Sequence, residues 1–133
     1  MATGNIITNN GLKLSLNRTF KVTPDYTAPT VFSVGTGTNT PATSDTALQT
    51  AVTIDAGNTK AFVTGYPSLD ETNMQSTIRC LLLTTEANAN TLTEFGILNA
   101  DGTPLLFSRT VNTSISKTTS VQVTYVEKDK LWV

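Results

Sequence analysis

No histidine occurs in this chain, and its one cysteine is Cys80. These facts remove a His-based triad, a Cys-His dyad and any histidine-ligated metal. A single thiol also builds no internal disulfide and no structural zinc site. Cys80 lies in the apolar run Ile78-Arg79-Cys80-Leu81-Leu82-Leu83, where it reads as a small buried hydrophobe with no base to activate it. Gly35-Thr36-Gly37 lacks the later glycine and the lysine of a phosphate-binding loop. Asp70 and Glu71 supply two carboxylates, enough in principle for glycoside hydrolysis. Adjacent side chains on a strand point to opposite faces, however, so a solvated loop is the better reading. The triplets beginning at Asn17 and Asn112 match a glycosylation acceptor, but chance explains them in an Asn- and Thr-rich chain. No catalytic, cofactor-binding or metal-binding residue is therefore predicted, and the chain is predicted not to be an enzyme.

One opposite-charge pair remains, Glu94 and Arg109. Both lie in apolar runs, Leu92–Leu98 and Leu105–Val111, that flank Asn99-Ala100-Asp101-Gly102-Thr103. Asp-Gly between two such runs is a strong short-range hairpin signal. If Asn99 pairs with Pro104, Gly96 faces Phe107 and Glu94 faces Arg109. Phe107 would then cover the bare backbone of Gly96, and Glu94 and Arg109 would be direct cross-strand partners. The pair is read as structural, pinning the register or closing one end of the core.

The elements that would hold this hairpin are strands. Thr is about one residue in five, and charged residues make up 14%, against roughly 25% in ordinary soluble domains. Thr is β-branched and suits a pleated, wetted surface. Low charge also suits faces that dock on other subunits, because charges are costly to desolvate. Leu12, Leu14 and Leu16 alternate with polar residues, which predicts a strand running on through Phe20 and Val22. Thr30–Val34, Thr59–Tyr66, Gln75–Thr85 and Ser120–Glu127 are further predicted strands, and Gly35–Pro41, Pro67–Asn73 and Glu86–Asn90 are loops. Asp45–Val52 reads as a short turn or helix, capped by Ser44 or Asp45, leading into an extended piece. The expected fold is all-β: an antiparallel β-sandwich, jelly-roll or Ig-like, of about seven or eight short strands. The 133 residues fit one domain, with residues 1–29 an N-terminal strand and arm and residues 30–133 the sandwich body.

Leu92-Thr93-Glu94-Phe95-Gly96-Ile97-Leu98-Asn99-Ala100-Asp101-Gly102-Thr103, then Leu105 to Arg109, then Ile115 to Ser120, resembles a pattern found in tailed-bacteriophage virion proteins. Its parts are a Thr-Glu-aromatic/aliphatic-Gly hairpin, an Asp-Gly turn, an Arg on the return strand and a Lys-Thr before a final strand. Val34-Gly35-Thr36-Gly37, Pro41 and Ser44-Asp45-Thr46-Ala47-Leu48 resemble the segment that precedes the hairpin in such proteins. The resemblance covers roughly residues 30–126 and departs in the first thirty. It implies a structural component of a virion, in the tail, neck or capsid exterior, assembled in the host cytoplasm. The expected partners are copies of the chain and other virion proteins. No cofactor and no membrane are expected, and the net charge of −1 with no basic patch argues against nucleic acid. The opening residues show no charged stretch followed by an apolar one, which predicts no secretory signal. An alternative is a glycan- or receptor-binding module of a tail fibre, with a host surface glycan held by Tyr26, Tyr66 and Trp132. The closing residues Leu131, Trp132 and Val133 form an apolar cluster, and burial of a Trp side chain is worth several kcal/mol. They are the candidate interface, docking on their own domain or on a neighbouring subunit.

Overall fold

The run Val123–Lys130 alternates strictly: Val123, Tyr125, Glu127 and Asp129 are buried, and the residues between them are exposed. Such a period of two fixes a strand with one face on a core. The computed structural model describes residues 4–130 and contains eight strands and one helix. They run β1 (Gly4–Ile7), α1 (Asn9–Phe20), β2 (Pro29–Gly35), β3 (Lys60–Ala61), β4 (Ser68–Asp70), β5 (Gln75–Leu82), β6 (Asn90–Asn99), β7 (Leu106–Lys117) and β8 (Val123–Lys130). Every pairing is antiparallel. One sheet has the order β1-β7-β6-β2-β3 and the other β4-β5-β8. The two stack as a sandwich, as the strand pattern predicts.

Phe32, Val34, Phe95 and Ile97 supply the inner face of the larger sheet, since Phe32 pairs with Ile97 and Val34 with Phe95. Ile78, Cys80, Leu82, Val123 and Tyr125 of the smaller sheet complete the core. The Phe95 and Tyr125 rings meet with centroids 4.4 Å apart, in a tilted arrangement. The outer face of the larger sheet carries Gly35, Glu94, Gly96, Arg109 and Val111. The chain between β2 and β3 folds back over that face. Thr36 N donates to Thr50 O, Val52 N donates to Val34 O, and Gly35 bridges Ala51.

Four expectations need correction. Leu12 to Phe20 is helical, not a strand. Leu12 and Leu16 stand four apart, so their spacing fits one face of a helix as well as one face of a strand. Thr8 decides the matter as N-cap: its side chain accepts from Gly11 N at 3.0 Å. The Thr8 hydroxyl also donates to the Leu106 carbonyl, which ties the helix start to β7. Of the turn or helix expected at residues 45–52 the helix is absent, since the Asp45 carboxylate goes to Ala42 N and Arg109; bends lead instead into the extended piece that meets β2 at Ala51. Thr59–Tyr66 yields only the two-residue β3, and the expected polar break after it contains the short edge strand β4. The last strand begins at Val123 rather than Ser120 and runs to Lys130.

Candidate functional site

β6 and β7 form the predicted hairpin, but two residues out of the expected register. Glu94 faces Val111, and Arg109 faces Gly96. The turn accounts for half of the shift. Pro104 has no N–H to return to Asn99, so closure passes to Leu105: Asn99 N donates to Leu105 O and Leu105 N donates to Asn99 Oδ1. A bulge supplies the rest, since Leu98 faces Leu106 while Ile97 faces Ser108, leaving Phe107 unopposed. Phe107 therefore does not cover Gly96. Leu48 and Leu106 occupy that space, and a Cβ at Gly96 would lie 2.9 and 2.8 Å from their methyl groups.

A slip of two residues preserves the faces of a strand. Glu94 and Arg109 are therefore diagonal rather than direct partners, yet still share a face. Arg109 Nε donates to Glu94 Oε2 at 2.8 Å, and both side chains are buried. Each oxygen of Glu94 is doubly engaged: Oε1 accepts from Gly37 N and Thr50 N, and Oε2 from Gln49 N and Arg109. Arg109 Nη1 donates to Asp45 Oδ2 at 2.9 Å, and Nη2 donates to Asn39 Oδ1 at 2.6 Å. One carboxylate and one guanidinium thus fasten the residue 37–50 loop onto the sheet. Gly37 permits the approach, since a Cβ there would sit 2.5 Å from Glu94 Oε1. Chemically the arrangement is a sealed clasp: neither Glu94 oxygen is left to exchange a proton with a substrate.

A second buried acidic group lies against the inner face. Glu127 and Asp129 project from β8 towards β7 and β1. The Ser108 hydroxyl donates to Glu127 Oε1 at 2.6 Å, and Asn5 Nδ2 donates to Asp129 Oδ1 at 3.4 Å. Glu127 Oε2 and Asp129 Oδ2 find no protein partner among the described residues. Burial first, and then the adjacent Asp129, push the Glu127 carboxyl up to about 9, against the lowering influence of Ser108 and Asn5. Burial also pushes the Cys80 thiol up to about 12, with Glu127 adding to the effect, so this buried cysteine holds its proton.

The remaining sequence candidates disperse. Asp70 ends β4 and accepts from Thr72 N, Asn73 N and Asn73 Nδ2, and the Asn73 bonds lower its carboxyl below the ordinary range. It is a turn residue beside an exposed Glu71, not half of a converging pair. Tyr26 packs on the core beneath Lys13, whose ammonium is 5.5 Å from the ring centroid, and Tyr66 is half-buried. Leu131, Trp132 and Val133 lie outside the described residues, as does Trp132 in its role as a glycan contact. No group of three or more Cys, Asp or Glu side chains is placed to hold a metal ion among the described residues.

Sequence reasoning missed Asp45 and Asn39 as partners of Arg109, because contacts across about 65 residues leave no local spacing. It also missed Glu127 and Asp129, although their signal was present: they continue the inward alternation of Val123 and Tyr125. No family model, no curated protein and no solved structure matches this chain.

Proposed function

We propose that this chain is a non-enzymatic structural protein of a phage virion, acting through contacts with copies of itself and with neighbouring proteins in the tail, neck or capsid exterior. The observation that carries the reading is a division of labour between side chains. The charged groups with the best geometry, Glu94, Arg109 and Asp45, are consumed in fastening one loop. Large apolar side chains meanwhile stand on the surface, among them Leu12, Leu16, Phe20, Leu69 and Met74. A sandwich that seals its ionisable groups and exposes apolar ones is suited to assembly. The assignment to a virion rests on the resemblance of the hairpin and its flanking segments.

Electron microscopy of virions from the phage that encodes this chain, with an antibody against it, tests the reading. Label at regular, repeated positions on the tail, neck or outer capsid is the expected result. Purified infectious particles that lack the chain would overturn it.

A further inference from the structure

We propose that the cleft between α1 and the β4–β5 corner binds a small amphiphilic anion, an aliphatic carboxylate whose apolar body lies on the core and whose head meets Arg18. This binding goes beyond assembly and does not depend on it. The floor of the cleft is core. Leu14 of α1, Ile78 of β5 and Phe107 of β7 line it, and they are 2, 4 and 7% exposed. Phe107 is the residue that the bulge leaves unopposed. The segment entering β2 adds Ala28 and Pro29, and the segment through β4 adds Pro67 and Leu69. The volume of about 310 Å³ falls at the lower end of the roughly 300–1,000 Å³ of small-molecule sites. A largely apolar lining with a few polar groups is the usual make-up of such a site.

The polar groups are three hydroxyls, from Ser15, Thr19 and Ser76, and one guanidinium. Arg18 follows Leu14 by four residues, so the helix that buries Leu14 in the floor sets Arg18 on the same side. The exposed apolar residues Leu12, Leu16 and Phe20 belong to another side of α1 and do not line the cleft. Arg18 is the one charged residue among the described residues of the lining. Its Nη1 donates to Tyr26 O at 2.7 Å, which steadies the group beside Ala28. A guanidinium has five N–H donors, and no carboxylate lies within salt-bridge distance of Arg18 among the described residues. A planar fork of this kind matches a carboxylate with two parallel hydrogen bonds. A bare inorganic anion would leave the apolar floor unused, and a neutral hydrocarbon would leave Arg18 unused. A short aliphatic carboxylate uses both.

Octanoate and its neutral counterpart 1-octanol are the probes, each titrated into the full chain and into Arg18→Gln while backbone amide shifts are followed by NMR. Octanoate is expected to move the amides of Arg18, Thr19 and Ser76 saturably in the wild type, and to bind Arg18→Gln about fivefold or more weakly. 1-Octanol is expected to bind the two proteins equally. Arg18 is exposed and makes no ion pair among the described residues, so the melting temperature of the variant is expected to stay unchanged. Ser15→Phe, at a half-buried helix position, fills the cleft and is expected to abolish the binding of both probes. Octanoate that binds wild type and Arg18→Gln equally overturns the carboxylate recognition. Binding that survives in Ser15→Phe overturns the location. A wild type in which neither probe moves those amides overturns the proposal outright, whether residues 131–133, a second copy or nothing fills the cleft; the assembly reading is untouched by any of these results.

Discussion

The larger sheet has a buried glutamate against each face, and the two are treated in opposite ways. On the outer face Glu94 receives four hydrogen bonds, one of them from a guanidinium. Against the inner face Glu127 receives one hydroxyl, lies beside a second carboxylate and keeps an oxygen without a partner among the described residues. The same functional group is therefore a fastening in one place and a burden in the other. Burial alone does not decide the energetic sign of a carboxylate; the donors that reach it do.

The largest effect expected from breaking this contrast is at Glu94. Glu94→Ala removes the buried carboxylate beside Arg109 Nε, leaving Asp45 as its one acidic partner, and releases the backbone amides of Gly37, Gln49 and Thr50. Breaking a buried pair in this way costs roughly 3–5 kcal/mol. Urea unfolding of the variant is expected to show that loss, and a change below about 1 kcal/mol would remove the clasp from the account.

Glu127 sharpens the contrast through pH. Its carboxyl titrates at 4.5 when free and about 9 in the folded protein. Between those values the native state holds a proton that the unfolded chain has released, so raising the pH favours unfolding. Stability from this group is full below about pH 4.5, declines steadily above it, and is lost once the pH passes about 9. The decline amounts to a few kcal/mol. Glu127→Gln, a neutral isostere, is expected to flatten the dependence between pH 5 and 9 in urea titrations. A wild type with constant stability over that range would contradict the assignment.

Gly37→Ala probes the clasp more gently. The added methyl crowds Glu94 Oε1 and the Gln49 side chain, each 2.5 Å away, and forces the loop outward. The expected cost is about 1–3 kcal/mol by thermal or urea melting. The exposed ion pair Lys21–Asp25 is the smallest case, with both side chains about half in solvent. Lys21→Ala is expected to leave the melting temperature unchanged, since such pairs contribute little.

Local pattern carried much of this architecture into view, and the exceptions are instructive. The strands β5 and β8 and the β6–β7 hairpin were legible because alternation and an Asp-Gly turn are local signals. Glu94 and Arg109 were legible as same-face neighbours because a two-residue slip conserves faces, although the bulge at Phe107 was not foreseeable from spacing. α1 reads as a strand because Leu12, Leu14 and Leu16 alternate; only Leu12 and Leu16 also fit a helical face, and the cap at Thr8 lies outside that pattern. The rest of the clasp was hidden for another reason. Asp45 and Asn39 reach Arg109 from far along the chain, and only the folded loop brings them there.

In the proposed reading, buried charged side chains fasten the fold and exposed apolar surface builds the assembly. The mass of the unmodified protein by sedimentation equilibrium, measured over rising concentration to its solubility limit, tests this most directly. The predicted result is a concentration-dependent rise from 14.2 kDa to a multiple of it. A mass that remains at 14.2 kDa throughout would contradict the account.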